Sequence, residues 1–201
     1  MSLFSAISSF VSGALGTIGG VIASALGALG PGGIAIVGGF LTSLISSVLG
    51  DKDDPEELGR KIMWGYENGM GKQSNESFLE ARKRYENFEV DSKYDSNEAK
   101  CVGLAYQIQC GIERGKDISE FASAISNLYK ENKFDEKLLD ALRGMVTAHT
   151  ELDDIGKYIN GNLSSSETLD RCMDKIAQAA KAANPSLSDN EAYVEALKYR
   201  G

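Results

Sequence analysis

The first 50 residues contain no Asp, Glu, Lys, Arg or His, so every ionisable side chain lies between Asp51 and Gly201. With nothing basic ahead of its apolar run, and a run far longer than about 15 residues, this segment lacks the layout of a cleaved signal peptide. Secretion is therefore expected to proceed without one. A basic excess is missing too. The chain holds 21 basic against 29 acidic side chains, a net charge of -8, which excludes the phosphate-neutralising stripe of a nucleic-acid binder. Cysteine is scarce and odd in number: Cys101, Cys110 and Cys172 include no CxxC pair. That excludes a disulfide framework and leaves buried, reduced thiols as the expectation. There is one histidine, His149, and no GxSxG, HExxH or P-loop pattern. No catalytic residue, metal site or cofactor is expected, and the chain reads as a non-enzyme.

What fills the uncharged segment is glycine and aliphatic side chains; half of the chain's 22 glycines fall there. An apolar run of helical period extends from Leu3 to Leu29 and a second from Ile34 to Leu49. Between them lies Gly30-Pro31-Gly32-Gly33, expected to form a hairpin turn because glycine reaches positive φ and proline lacks a donor. As helices the runs would reach about 40 Å and about 24 Å, against about 30 Å for a bilayer core. The first spans and the second is marginal. Small residues recur every fourth position, at Ser8, Ser12, Gly16, Gly20, Ser24 and Ala28, then Ala35, Gly39, Ser43 and Ser47. Larger side chains (Ile7, Val11, Ile18, Ile22; Leu41, Leu44, Val48) gather elsewhere. Such spacing predicts a small-residue seam for close helix packing or oligomerisation, the form helices take in lipid. A hairpin buried in a soluble core is the alternative. The serines and Thr17 favour a conditional insert over a permanent anchor.

Gly13 to Leu49 resembles the glycine-zipper and hydrophobic-hairpin segments of bacterial pore-forming toxins, including bacteriocins and small type VI secretion effectors. The resemblance covers a quarter of the chain and carries no catalytic residue. It implies a bacterial, secreted or target-membrane-associated protein that permeabilises a lipid bilayer as a homo-oligomer. Secretion-apparatus, chaperone or immunity proteins are its implied partners.

Residues 51–201 read as an acidic, all-helical domain, so the fold class is all-α: a glycine-rich hydrophobic hairpin (1–50) plus a multi-helix globular bundle. Helix starts are marked by Asp54-Pro55-Glu56-Glu57, Ser74, Asp95 to Glu98, Asp117 to Glu120, Asp135, Ser164 to Glu167 and Ser188 to Glu191. The stretch from Phe78 to His149 has loosely tetratricopeptide-like helix pairs but no 34-residue repeat. Arg82-Lys83-Arg84, flanked by acids, reads as a solvated face, and Glu151-Leu-Asp153-Asp154 beside His149 as a solvated helix start. Trp64 and Tyr66 read as core packing or an interfacial pair. Two functions remain open: a membrane-inserting effector, and a structural or cargo subunit of a phage-like or secretion assembly whose hairpin packs on partner helices. An acidic helical enzyme with a membrane-targeting tail is a weaker third.

Overall fold

The computed structural model describes residues 13–90 and 93–201, and among these every regular element is helical. The elements are α1 (Gly16–Gly27), α2 (Gly30–Leu44, continuing through a π-turn at Ile45–Leu49), α3 (Pro55–Glu67), α4 (Phe78–Tyr85), α5 (Ser96–Glu113), α6 (Ser119–Lys130), α7 (Glu136–Met145), α8 (His149–Ile159), α9 (Ser166–Ala183) and α10 (Asp189–Lys198). The all-α expectation holds, with an N-terminal apolar helix and a multi-helix bundle. By charge the chain divides at Gly50/Asp51; into compact units it divides at Asp117/Ile118. The hairpin therefore shares one unit with α3, α4 and α5, and the 78–149 stretch is split between units.

In the first unit α5 is the core helix, with Val102, Leu104, Ala105, Tyr106 and Ile108 all fully buried. Against it α3 lies almost backbone to backbone. A Cβ on Gly59 would sit 1.8 Å from the Ala99 carbonyl oxygen, and one on Gly103 1.7 Å from that of Pro55. The start of α3 is read correctly from sequence: Asp54 accepts from the Glu57 N–H at 2.9 Å, with Pro55 in the first turn. Helix α4 starts later than Ser74, because Ser77 and Glu80 form the reciprocal capping box. Glu113 adds a second cap from α5, accepting from Phe78 and Leu79 N–H at 2.8 and 3.0 Å.

The second unit, α6 to α10, is built around Phe121, Leu139, Leu142, Leu152 and Ile176. Helix α8 meets α6 through Gly156, whose added Cβ would lie 2.4 Å from the Phe121 nitrogen. The Tyr158 hydroxyl donates to the Ala196 carbonyl at 3.1 Å, tying α8 to α10. Two starts shift by one residue: the N-caps are Ile118 rather than Asp117, and Ser165 rather than Ser164.

Candidate membrane-facing hairpin and its clasp

The hairpin differs from its expected form in three ways. First, the Leu3–Leu29 run is not one helix. It breaks at Leu15, and Gly16 has φ +66°, a left-handed conformation that other residues adopt only at a cost. The described first arm is the 12-residue α1, about 18 Å long and too short to cross a bilayer. Second, the turn is at Ala28–Leu29, two residues early. Gly30, with φ +70°, opens α2, and Pro31, Gly32 and Gly33 form its first turn. A helix tolerates proline there because its missing N–H would find no partner anyway. Third, the second arm is the long one. Gly30–Leu49 is a continuous 20-residue helix of mean hydropathy 1.8, half buried against the unit. The π-turn extends it and is closed by Gly50 in the left-handed region.

The predicted small-residue seam does not form the packed face. Ser24, Ala28, Ala35, Ser43 and Ser47 are exposed, Gly16 and Gly39 are half-buried, and of the described seam positions only Gly20 is buried. Ser12, with Ser8, Ile7 and Val11, lies outside the described residues. The face turned inward is instead Gly19, Ile22, Ala23 and Leu26 on α1, with Ile34, Val37, Leu41 and Leu44 on α2. A fourfold repeat advances 400° over four residues, so an i+4 stripe drifts by about 40° per step around a helix with 3.6 residues per turn. Over several steps it leaves the face on which it began. Glycines still admit the close approaches: Gly19 sits beside the Ala105 carbonyl and Gly38 beneath the Lys100 stem and Leu104. Outward, Ile18, Val21 and Ile36 are 39%, 60% and 47% exposed.

Where the hairpin joins the charged part of the chain lies a buried polar clasp. Arg82, on α4, is 5% exposed and Asp51 6%. The guanidinium grips Asp51 with two bonds, one through Nη1 to Oδ2 and one through Nη2 to Oδ1 at 2.7 Å, and Nη2 also donates to Asp53 Oδ2 at 2.6 Å. From α5, Gln107 Nε2 donates to Asp51 Oδ1 at 3.1 Å and to the Asp53 carbonyl at 3.0 Å. Burial alone would push the Asp51 carboxyl up. The Arg82 bonds and charge, the Asp53 N–H and Gln107 outweigh it and hold the carboxyl below its ordinary value. Burial likewise opposes the charge on Arg82, and the two carboxylates raise its pKa regardless. Nearby, Lys116 Nζ donates to the Val48 carbonyl at 3.4 Å. Two oxygens on α5 are left over: among the described residues, Gln107 Oε1 and Gln109 Oε1 are buried without a partner.

This clasp corrects the reading of Arg82-Lys83-Arg84 as a solvated face. Lys83 is exposed, but Arg82 is buried, and Arg84 binds Glu76 and the carbonyls of Met70 and Gly71. A signal was present: Arg82 stands four residues after Phe78 and three before Tyr85, on the inward face of an amphipathic helix. Trp64 stacks edge-on to Phe88 at 4.9 Å, so it packs within the first unit.

No family model, curated protein or solved structure matches the chain. Outside the hairpin and the clasp, the chemistry-bearing residues do not converge. Among the described residues no group of three His, Cys, Asp or Glu side chains is placed to hold a metal. The three cysteines are free and buried, as expected. Burial pushes the thiols up, to about 12 for Cys101 and about 11 for Cys110 and Cys172, which makes them poor nucleophiles. In the second unit a cleft of about 320 Å³ between α8 and α9 is lined by Glu151, Asp154, Arg171 and Lys175. The charges there pair across it, Arg171 with Asp154 at 3.7 Å and Lys175 with Glu151 at 3.9 Å. His149, at the start of α8, is not part of its lining.

Proposed function

We propose that the protein is a membrane-inserting effector of the pore-forming type, which stores its inserting helix folded against a charged body and permeabilises a target bilayer as a homo-oligomer. The observation that carries this reading is Gly30–Leu49, a charge-free helix of 20 residues and mean hydropathy 1.8 that is only half buried in its own unit. At about 30 Å it matches the hydrocarbon thickness. Its partner arm α1, 12 residues long, is too short to span as it stands. Insertion would thus begin with α2, and the exposed Ala35 and Ser43, with half-buried Gly39 between them, would form the surface on which inserted copies meet.

The test uses Ile36→Asp in the full chain. Ile36 is 47% exposed in the stored form, so the carboxylate stays in water there and stability changes by less than about 0.5 kcal/mol. Near the middle of an inserted helix the same carboxylate costs about 2.5–3.5 kcal/mol. Dye release from phosphatidylcholine vesicles should therefore fall at least about thirtyfold while the thermal midpoint stays put. Equal leakage from the variant and the native chain would overturn the reading.

One observation favours a second reading, a structural or cargo subunit whose hairpin receives a partner helix. Ser24, Ala28, Ala35 and Ser43 are exposed, Gly39 is half-buried, and none of the five carries a bulky side chain. Under that reading the native chain leaves vesicles intact, and Gly39→Leu abolishes a soluble assembly.

A further inference from the structure

The clasp sits at the one place where the uncharged hairpin is joined covalently to the charged body, and it draws on three separate parts of that body. Asp51 and Asp53 belong to the segment that leaves the hairpin, Arg82 to α4 and Gln107 to α5. Gly50, immediately before it, is exposed, has φ +71°, and an added Cβ would meet none of the described residues within 4 Å. A left-handed, uncrowded glycine is a natural pivot, because its dihedrals can change without a clash at its own Cα. Along α2 the close contact with α5 is aliphatic: Gly38 meets Leu104 and the Lys100 stem. Such contacts are replaceable by lipid tails, whereas the directional bonds to Arg82 are not.

The stored arrangement also carries a built-in fault. Among the described residues, Gln107 Oε1 and Gln109 Oε1 are buried without hydrogen-bond partners. Gln109 Oε1 lies against the hairpin, 3.8 Å from where a Cβ on Gly19 would be and 3.9 Å from one on Gly16. Departure of α1 would return that oxygen to water, so it favours opening.

We propose that the Arg82–Asp51–Asp53–Gln107 cluster is the catch that keeps the hairpin stored, with Gly50 as the pivot and the orphaned Gln109 oxygen as a bias toward release. This regulation rests on the membrane-insertion reading, and its test separates the two. Asp53 is the residue to change, since its side chain is 54% exposed and its loss strands no second buried charge. In the full chain without lipid, Asp53→Ala should speed amide hydrogen exchange across Gly30–Leu49 about tenfold, with α3 and α5 amides unchanged. Gln109→Met, which removes the orphaned oxygen, should slow the same amides by about tenfold. Added to phosphatidylcholine vesicles, Asp53→Ala should release trapped dye faster than the native chain, and Asp53→Ala/Ile36→Asp should not.

Exchange in Asp53→Ala that is unchanged, or that rises equally in α2, α3 and α5, overturns the catch. Faster α2 exchange with no gain in dye release supports the catch and overturns membrane insertion instead.

Discussion

Helix α5 carries two neighbours of opposite character, α3 and the α1–α2 hairpin. On the α3 side the sequence supplies every local device: an Asp54 cap, a first-turn proline, acidic residues in the first turn, and glycines that bring the two backbones together. On the hairpin side there are no side-chain caps at Leu15 or Leu29, and no charges at either end of α1 or α2. Each missing cap forgoes about 1 kcal/mol, and each interior glycine costs about 1 kcal/mol relative to alanine. Helix α3 is thus part of the scaffold while the hairpin is a passenger, held by apolar contact along its length and by directional bonds at its end.

The sharpest way to break this comparison is to add one methyl group on each side. Gly103→Ala places a Cβ 1.7 Å from the Pro55 carbonyl oxygen. No side-chain movement relieves a clash with backbone, so the cost should pass about 4–5 kcal/mol and the first unit should fail to fold. Gly39→Ala in α2 meets none of the described residues within 4 Å. It should instead stabilise the helix by about 0.5–1 kcal/mol. Chemical denaturation of the two variants checks both signs, and similar effects from both would erase the distinction between scaffold and passenger.

The scaffold was the legible part. Caps at Asp54 and Asp95, like those at Asp135 and Ser188 in the second unit, are where their residue types predict, because a cap is a local device within four residues. The passenger was legible as uncharged and helical, but not in its geometry. Apolar periodicity runs straight through Leu15, and composition cannot say which of so many glycines takes the left-handed turn. Gly30 to Gly33 look like a loop until proline's tolerance in a first helical turn is weighed against its usual breaking role. The clasp was hidden for a different reason. Arg82 joins Asp51 across 31 positions and Asp51 joins Gln107 across 56, and no local pattern encodes pairs that distant.

The next largest effect should come from the clasp. Arg82→Met leaves Asp51 buried without its counter-charge, which costs about 3–5 kcal/mol. Replacing both partners, as Asp51→Leu/Arg82→Met, should recover most of that loss, since an apolar pair of similar volume does not pay for desolvation. A thermal melt of the single and double variants checks this. If the double variant melts as low as the single one, the clasp supplies more than charge neutralisation, and Gln107 becomes the residue to examine.

The smallest expected effect is the response to mild acid, and its smallness is informative. Because the clasp holds the Asp51 carboxyl below its ordinary value of 3.8, the folded state binds a proton there less readily than the unfolded chain. Its contribution to stability is therefore fully present above that ordinary value and is lost only as pH falls below it, through the folded value. Arg82 stays charged throughout, its pKa being raised further by the same two carboxylates. Between about pH 7 and about pH 5 the exchange of α2 amides relative to α3 should accordingly be flat, and it should climb only below about pH 4. A rise already complete at about pH 5 would mean that some other group holds the hairpin, and would transfer the catch away from Asp51. A flat profile leaves direct competition for the apolar face of α2, rather than protonation of the clasp, as the event that opens it.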